Sequence, residues 1–559
     1  MGSIFAAVAL VATTPAHADT LIDNVNGITL DEKGAVQRFA ALVIGTDGHI
    51  TRVLASGEKR PPKLDYRVNG KGRVLLPGMI DAHAHVMAIG FAALTLDLSE
   101  TDSLADAQAR IARYARDNPD RAWILGRGWD QDRWALGRFP TAGDLDAAVG
   151  DRPVWLLSSD GQAGWANSAA LAVAGVTAAT NDPAGGRILR APGGKPSGVL
   201  VDKAAELVEA KVPPPRPVDR DLAFLEAQRQ LVAAGFTTVT DMGTSIADWQ
   251  AFRRAGDLGK LRMRIIAYAG GTEAMALIGG PGPSPWLYDD RLRLAGVRLR
   301  LDGSLGSRGA ALKAPYADDP GNSGLTQLSQ TQLGNLMSRA AIDKFQVAVE
   351  ATGDRAVAMT LGAIGELSAT YKGDRRWRIE QAQVVDPADL GRFGGRGIVV
   401  SVQLQMAATD QAMNAARLGP VRLTGAQAWK SILDAGGVLA FGGDAAAGPF
   451  DGLATALSRT GADGQPFGGW QPQQRLSREA ALAAWTTGAA YAGFAETRLG
   501  RIAPGLRADF VLVDQDPILA APDDLHRTRV LETWVSGQAV YRADQAQKAE
   551  PRRAATDSR

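Results

Sequence analysis

The chain has 559 residues, more than one ordinary domain, which leaves room for a barrel of about 250 residues or more and a satellite. Its 61 Lys and Arg stand against 60 Asp and Glu, a formal net charge of +1, so no overall field draws it to nucleic acid or anionic lipid, and a small-molecule partner is expected. With no cysteine, disulfides and thiolate metal ligands are excluded.

At the amino terminus, Ile4 to Thr13 is a short apolar run followed by Pro15-Ala16-His17-Ala18-Asp19. The pattern reads as the h-region and Ala-x-Ala cleavage site of an export signal: a signal peptide over 1–18, a mature start at Asp19, and a periplasmic or secreted location. A buried amino-terminal strand is the competing reading. Thr20 to Val74 and Arg501 to Tyr541 share a style of short alternating strands broken by turns such as Thr46-Asp47-Gly48 and Ser536-Gly537. Each is too short for its own core, so one small β-sandwich assembled from residues 19–77 and 497–545 is expected. Residues 546–559 are polar and expected to be disordered. No segment beyond the leader approaches the roughly 18 uninterrupted apolar residues of a membrane span.

Between the two flanks, residues 78–496 alternate apolar strand-length runs with Ala- and Leu-rich helical stretches. The predicted strands are Met79 to His85, Thr237 to Met242, Arg262 to Ala269, Val297 to Asp302, Gln346 to Thr352, Trp377 to Gln383, Ile398 to Gln405 and Val438 to Asp444. Their number implies an α/β fold of the TIM (β/α)8 type, with catalytic groups at the carboxyl ends of the strands. Those ends carry His83 and His85, Asp241, Asp302, Glu350, Gln381, Gln405 and Asp444. On an alternating strand His83 and His85 share a face about 7 Å apart, a spacing that suits one metal. A stretch of about 100–230, too long for one helix, is an inserted subdomain after the first strand. It is expected to lie over the barrel mouth and to shape the substrate pocket. Its Trp129, Trp134, Trp155 and Trp165 could line an apolar pocket or form the subdomain's core.

Several motifs join these strands: Gly126-x-Gly128-Trp129-Asp130, Asp160-Gly161-x-x-x-Trp165-x-Asn167-Ser168, Asp302-Gly303-Ser304-Leu305-Gly306-Ser307-Arg308, Gly353-Asp354-Arg355, Arg378-Ile379-Glu380-x-Ala382-Gln383 and Gly500-Arg501-Ile502-x-Pro504-Gly505-x-x-Ala508-Asp509-Phe510. In order and spacing the set resembles the metal-dependent amidohydrolase superfamily, in its branch amidohydrolase family 3, the YtcJ-like proteins. The resemblance implies hydrolysis of carbon–nitrogen bonds other than peptide bonds by metal-activated water. It also implies that His83, His85 and Asp444 bind one metal, and that a carboxylated strand-four Lys and two His on strands five and six bind a second. Here Arg298, Glu350 and Gln381 stand at those last three positions, and Gln162 and Met406 replace His found in related sequences.

Guanidinium offers no lone pair, so Arg298 can neither be carboxylated nor ligate. Glu350 can ligate, which makes His83, His85, Glu350 and Asp444 the candidate set for one divalent metal, zinc before manganese or iron, with Asp444 as ligand or catalytic base. The opposing reading is a degenerate, non-catalytic homologue with no metal, in which Arg298 supplies the missing charge by pairing with Glu350 and Asp444, and the barrel binds a ligand or partner. Gln162, Trp165, Asp302, Arg308 and Gln381 are candidates for substrate binding, with an Asp302–Arg308 ion pair that anchors a loop as the plainer alternative. Gly353-Asp354-Arg355 reads as a turn and helix start. Glu380 alternates with Gln381, so the two cannot both face the mouth, and an inward Gln381 leaves Glu380 structural or paired with a helix. A homodimer is the default expectation for assembly.

Overall fold

The computed structural model describes residues 19–546 except 160, 162, 184–185, 405–410 and 444–447. The expected signal peptide, residues 547–559 of the expected tail, and the candidates Gln162, Gln405, Met406 and Asp444 lie outside the described residues. The chain divides into two compact units. One takes the described residues of Met1–Ala84, Arg229–Trp249 and Gly259–Arg559, and the other takes His85–Gln228 and Gln250–Leu258.

The first unit is built on eight parallel strands in chain order: β1 Met79–Ala84, β2 Phe236–Thr244, β3 Arg264–Gly270, β4 Leu292–Arg300, β5 Gln346–Ala351, β6 Arg378–Gln381, β7 Val399–Gln403 and β8 Val438–Gly442. Most are buried along nearly their whole length, as parallel strands covered on both faces must be. Gly78 lets β1 start beside β2, since a Cβ there would stand 2.2 Å from Oγ1 of Thr237. Gly442 closes the ring by the same device. A Cβ on it would lie 2.6 Å from Cβ of His83, and the next amide, Gly443 N–H, donates to Asp81 Oδ1 at 3.0 Å, so β8 returns to β1. β4 begins five residues earlier than predicted and ends at Arg300, which leaves Asp302 beyond the strand.

Two further sheets flank the barrel strands in sequence, one of four strands from residues 20–69 alone and one of six strands drawn from both chain ends. Val74–Pro77 pairs antiparallel with Phe510–Val513, and Ile22, Leu42 and Ile44 share a core with Phe510, Leu512 and Trp534. Arg264 at the start of β3, fully buried, makes a two-pronged ion pair with Asp509 at 2.7 and 2.9 Å. The Ala508-Asp509-Phe510 motif is thus a structural clasp between the barrel and the terminal sheet.

The second unit, His85–Gln228 with Gln250–Leu258, contains the insertion expected at about 100–230. Its six-stranded sheet includes Ile124–Trp129, Val154–Ser158, Ala163–Ala166 and Pro196–Asp202, packed over a core of Trp129, Trp134, Trp165 and Leu156. Among the described residues no helix is long and apolar enough to cross a membrane.

Candidate functional site

His83 is almost wholly buried on β1. Its N–H donates to Asp81 Oδ1 at 2.9 Å, and its ring Nδ1 lies 2.8 Å from Glu380 Oε2 on β6. β6 and β1 are separated around the ring by β7 and β8, so this contact crosses the barrel interior. Glu380 therefore faces inward, which corrects its assignment to a structural role outside the mouth. Gln381 faces the site as well, because its φ is 73° and that of Ala382 is 44°, a left-handed break that ends the alternation of the strand.

Behind Glu380 runs a continuous buried network. Arg378 Nε donates to Glu380 Oε1 at 2.8 Å, Arg378 Nη2 donates to the Ala82 carbonyl at 2.7 Å, and its guanidinium lies over the Tyr268 ring. The Tyr268 hydroxyl donates to Gln346 Oε1, and Gln346 Nε2 donates to the carbonyls of Arg376 and Ala492. Burial pushes the Glu380 carboxyl up, but the Arg378 charge and the His83 and Arg378 hydrogen bonds outweigh it and hold the group down at about 2. Glu380 is thus an anion at neutral pH, placed to accept the Nδ1 proton of His83.

A second cluster lies at the ends of β4, β5 and β6. Arg298 donates through Nε at 2.7 Å and through Nη2 to the same Glu350 oxygen, Oε2. The other oxygen accepts from Gln381 Nε2 at 3.3 Å, and Gln381 Oε1 accepts from Thr352 Oγ1 at 2.9 Å. Glu350, expected in the ligand set, is paired through Oε2 with the Arg298 guanidinium. Gln381 likewise is held by neighbours rather than presented to a substrate.

Of the substrate-binding candidates, Asp302 and Trp165 are fully buried and engaged by neighbours, and Arg308 is paired with Asp318. The fully buried Asp302 carboxylate accepts the amide N–H groups of Ala311, Thr352 and Gly353 at 2.8 to 2.9 Å, fastening the loop after β4 to the end of β5. Arg308 pairs with Asp318, not with Asp302, so the expected Asp302–Arg308 pair is also absent among the described contacts. Trp165 is fully buried, edge-on to Trp129 and Trp134, with Nε1 on the Thr141 carbonyl. Gly353-Asp354-Arg355 opens the helix Asp354–Thr370, as read.

Burial raises the Asp302 carboxyl from its ordinary 3.8 to about 6, against the pull of the three amides. The folded protein therefore keeps this proton longer than the unfolded chain. Its stabilising share is complete below about pH 3.8 and is lost as pH rises through about 6. Asp302→Asn is expected to cost about 1–3 kcal/mol at pH 7 by turning an NH2 toward an amide N–H, and wild type should gain on the variant as pH falls from 7 to 5. Thermal melts of both proteins across that range check it.

The surroundings of His83 suit a metal-binding imidazole, whereas Arg298 cannot ligate. With Nδ1–H donated to Glu380 and the ring neutral, the lone pair of His83 is on Nε2, the arrangement that orients and strengthens a metal-binding imidazole. At the second position Arg298 has no lone pair, and its guanidinium holds Glu350 Oε2 and supplies a positive charge where a second cation would sit. Among the described residues no three His, Asp or Glu groups are placed to hold a metal ion, and Asp444 is not one of those residues. Glu380, Arg378 and Asp81 were missed or set aside in the sequence. The Asp-x-His and Arg-x-Glu spacings, each two residues apart on one strand face, were the available signal.

Comparison with known proteins gives a consistent picture. The sequence profile described as "Amidohydrolase family" matches residues 68–541. Protein LONG AFTER FAR-RED 3 of Arabidopsis thaliana is 32% identical over 94% of this chain and 92% of its own. Putative amidohydrolase YtcJ of Bacillus subtilis (strain 168) is 31% identical over 84% and 89%, and N-substituted formamide deformylase of Arthrobacter pascens is 27% identical over 94% and 98%. The crystal structure of an uncharacterized metal-dependent hydrolase from Pyrococcus furiosus superposes with a TM-score of 0.73 at 26% identity, covering 89% of this chain and 100% of that one.

Proposed function

The chain belongs to the amidohydrolase family, and from that premise we propose that it hydrolyses a carbon–nitrogen bond other than a peptide bond with a single divalent metal held by His83, His85 and Asp444. The observation that carries this reading is the buried Glu380 carboxylate on His83 Nδ1. An anion sequestered against an arginine and spent on one imidazole is a costly arrangement in a mere packing role, and an effective one for aiming Nε2. When bound, such a metal lowers the pKa of a water to roughly 7 and so supplies a nucleophile at neutral pH.

The protein's own residues do the rest. Glu380 fixes the tautomer and orientation of His83, Arg378 fixes Glu380, and Asp81 ties β1 to the Gly443 amide after β8. Asp444 is assigned the proton transfer to the leaving nitrogen. The relatives support the reaction class: one is named as a deformylase of N-substituted formamides, and the Pyrococcus furiosus structure as a metal-dependent hydrolase.

The Arg298–Glu350 ion pair favours a second reading, a barrel that binds a ligand without turnover. A panel of N-substituted formamides, acyl amides and esters, offered to the zinc-loaded protein, separates the two. Hydrolysis of at least one amide or formamide, falling to background in His83→Ala, is expected. No hydrolysis across the panel by folded, loaded protein would leave the second reading standing.

A further inference from the structure

The unit that contains the insertion holds a cavity of about 300 Å³, at the small end of the range for ligand sites. Phe91, Trp123, Leu125, Leu222 and the run Pro213-Pro214-Pro215 make its wall largely apolar. Phe91 belongs to the helix Val86–Leu94, Leu125 to the strand Ile124–Trp129 and Leu222 to the helix Pro217–Ala233, so regular elements keep the space formed. The three prolines add a stiff segment with fixed φ and no N–H to offer. Solvent reaches the cavity, since Leu222 is 50% exposed and the Arg121 side chain 45%. Water against such a wall has few hydrogen-bond partners, and an apolar group that displaces it gains free energy.

Four charged residues line the same cavity, and two of them are spent on each other. Arg216 takes both oxygens of Asp219, Oδ2 through Nε at 2.8 Å and Oδ1 through Nη2 at 3.0 Å. Arg121 Nη1 comes no nearer to Asp219 Oδ1 than 3.7 Å, too long for a hydrogen bond. Asp120 makes no side-chain hydrogen bond or ion pair among the described residues. The consecutive residues Asp120 and Arg121 thus bring one carboxylate and one guanidinium, both with unspent capacity, to an apolar cavity.

This charge pattern narrows the occupant. An apolar acid would satisfy Arg121 and set a second anion beside Asp120, and an apolar amine would satisfy Asp120 and set a second cation beside Arg121. A zwitterion meets both. We propose that this unit binds a free α-amino acid with a large apolar side chain. The side chain enters the cavity, the α-carboxylate pairs with Arg121 and the α-ammonium pairs with Asp120. None of these residues comes from the barrel strands, so the inference stands apart from the hydrolase reading.

Ligand-observed NMR titration of the full chain with L-phenylalanine, 3-phenylpropionate and phenethylamine tests it, since the last two each lack one charge. L-Phenylalanine should bind saturably and about fivefold or more tighter than either analogue, as expected of half-exposed ion pairs. Arg121→Gln should weaken L-phenylalanine about fivefold and leave phenethylamine no weaker than before. Leu222→Lys, which sets a charge in the apolar wall, should abolish L-phenylalanine binding while melting within about 2 °C of wild type, because the position is half exposed. No saturable L-phenylalanine binding, an analogue that binds as tightly, or binding that survives Leu222→Lys would overturn the proposal. A dimer that Leu222→Lys splits, in a protein that binds no L-phenylalanine, would overturn it in favour of a second copy of the chain as the occupant.

Discussion

Replacing Glu380 with leucine is expected to destabilise the barrel by about 3–5 kcal/mol, because it leaves the Arg378 guanidinium buried and without its counter-ion. Both partners of this pair have no solvent exposure, so neither water nor a shift of the side chain can make good the loss. The double variant Arg378→Met/Glu380→Leu should recover much of the stability, since replacing both charges by apolar groups removes the desolvation cost along with the attraction. The pair also has a defined pH signature. The folded value of Glu380, about 2, lies below the ordinary 4.5, so the unfolded chain takes up the proton first. Its contribution is intact above about pH 4.5 and fades as pH falls toward 2. Melting curves of wild type and the single variant should therefore converge in strong acid. A single variant as stable as wild type at pH 7 would contradict the assignment of Glu380 as an anion.

The second large effect is a gain. Arg298→Lys, Glu350→His and Gln381→His together replace the ion pair and its amide brace with the residues that the family resemblance places there. The charge filling the second position is removed, and two imidazoles and a primary amine take its place. Bound metal should rise from about one to about two per chain. Arg298→Lys alone should not achieve this, because Glu350 would remain paired to a cationic side chain. A triple variant that folds and binds no additional metal would show that something other than the ion pair keeps the second metal out.

The barrel was legible in the sequence because strands covered on both faces must be written as apolar runs, and runs such as Gln346–Ala351 and Val438–Gly442 have no other reading at that length. The coexistence of Arg298 with Glu350 was legible too, as a charge replacing a charge. Glu380 was lost because strict alternation was assumed through Gln381, whereas left-handed φ angles at Gln381 and Ala382 break it, and ordinary side chains give no warning of such a break. Asp302 was read as a strand-end group because the start of β4, Leu292-Arg293-Leu294, alternates with arginine and looks less like a barrel strand than Val297 onward. Its role is set by three backbone amides, and backbone partners are invisible in a side-chain pattern. Trp165 shows the limit of composition: a tryptophan reads the same whether it lines a pocket or, as here, closes a core with Trp129 and Trp134.

Elemental analysis of the purified protein after zinc loading and desalting tests the central claim most directly, that His83 belongs to a one-metal site whose second position is filled by Arg298 and Glu350. About one zinc per chain, absent from a folded His83→Ala variant, is the predicted result. Two zinc ions per chain in the unaltered protein would contradict the ion pair as a metal substitute, and none retained would contradict the site itself.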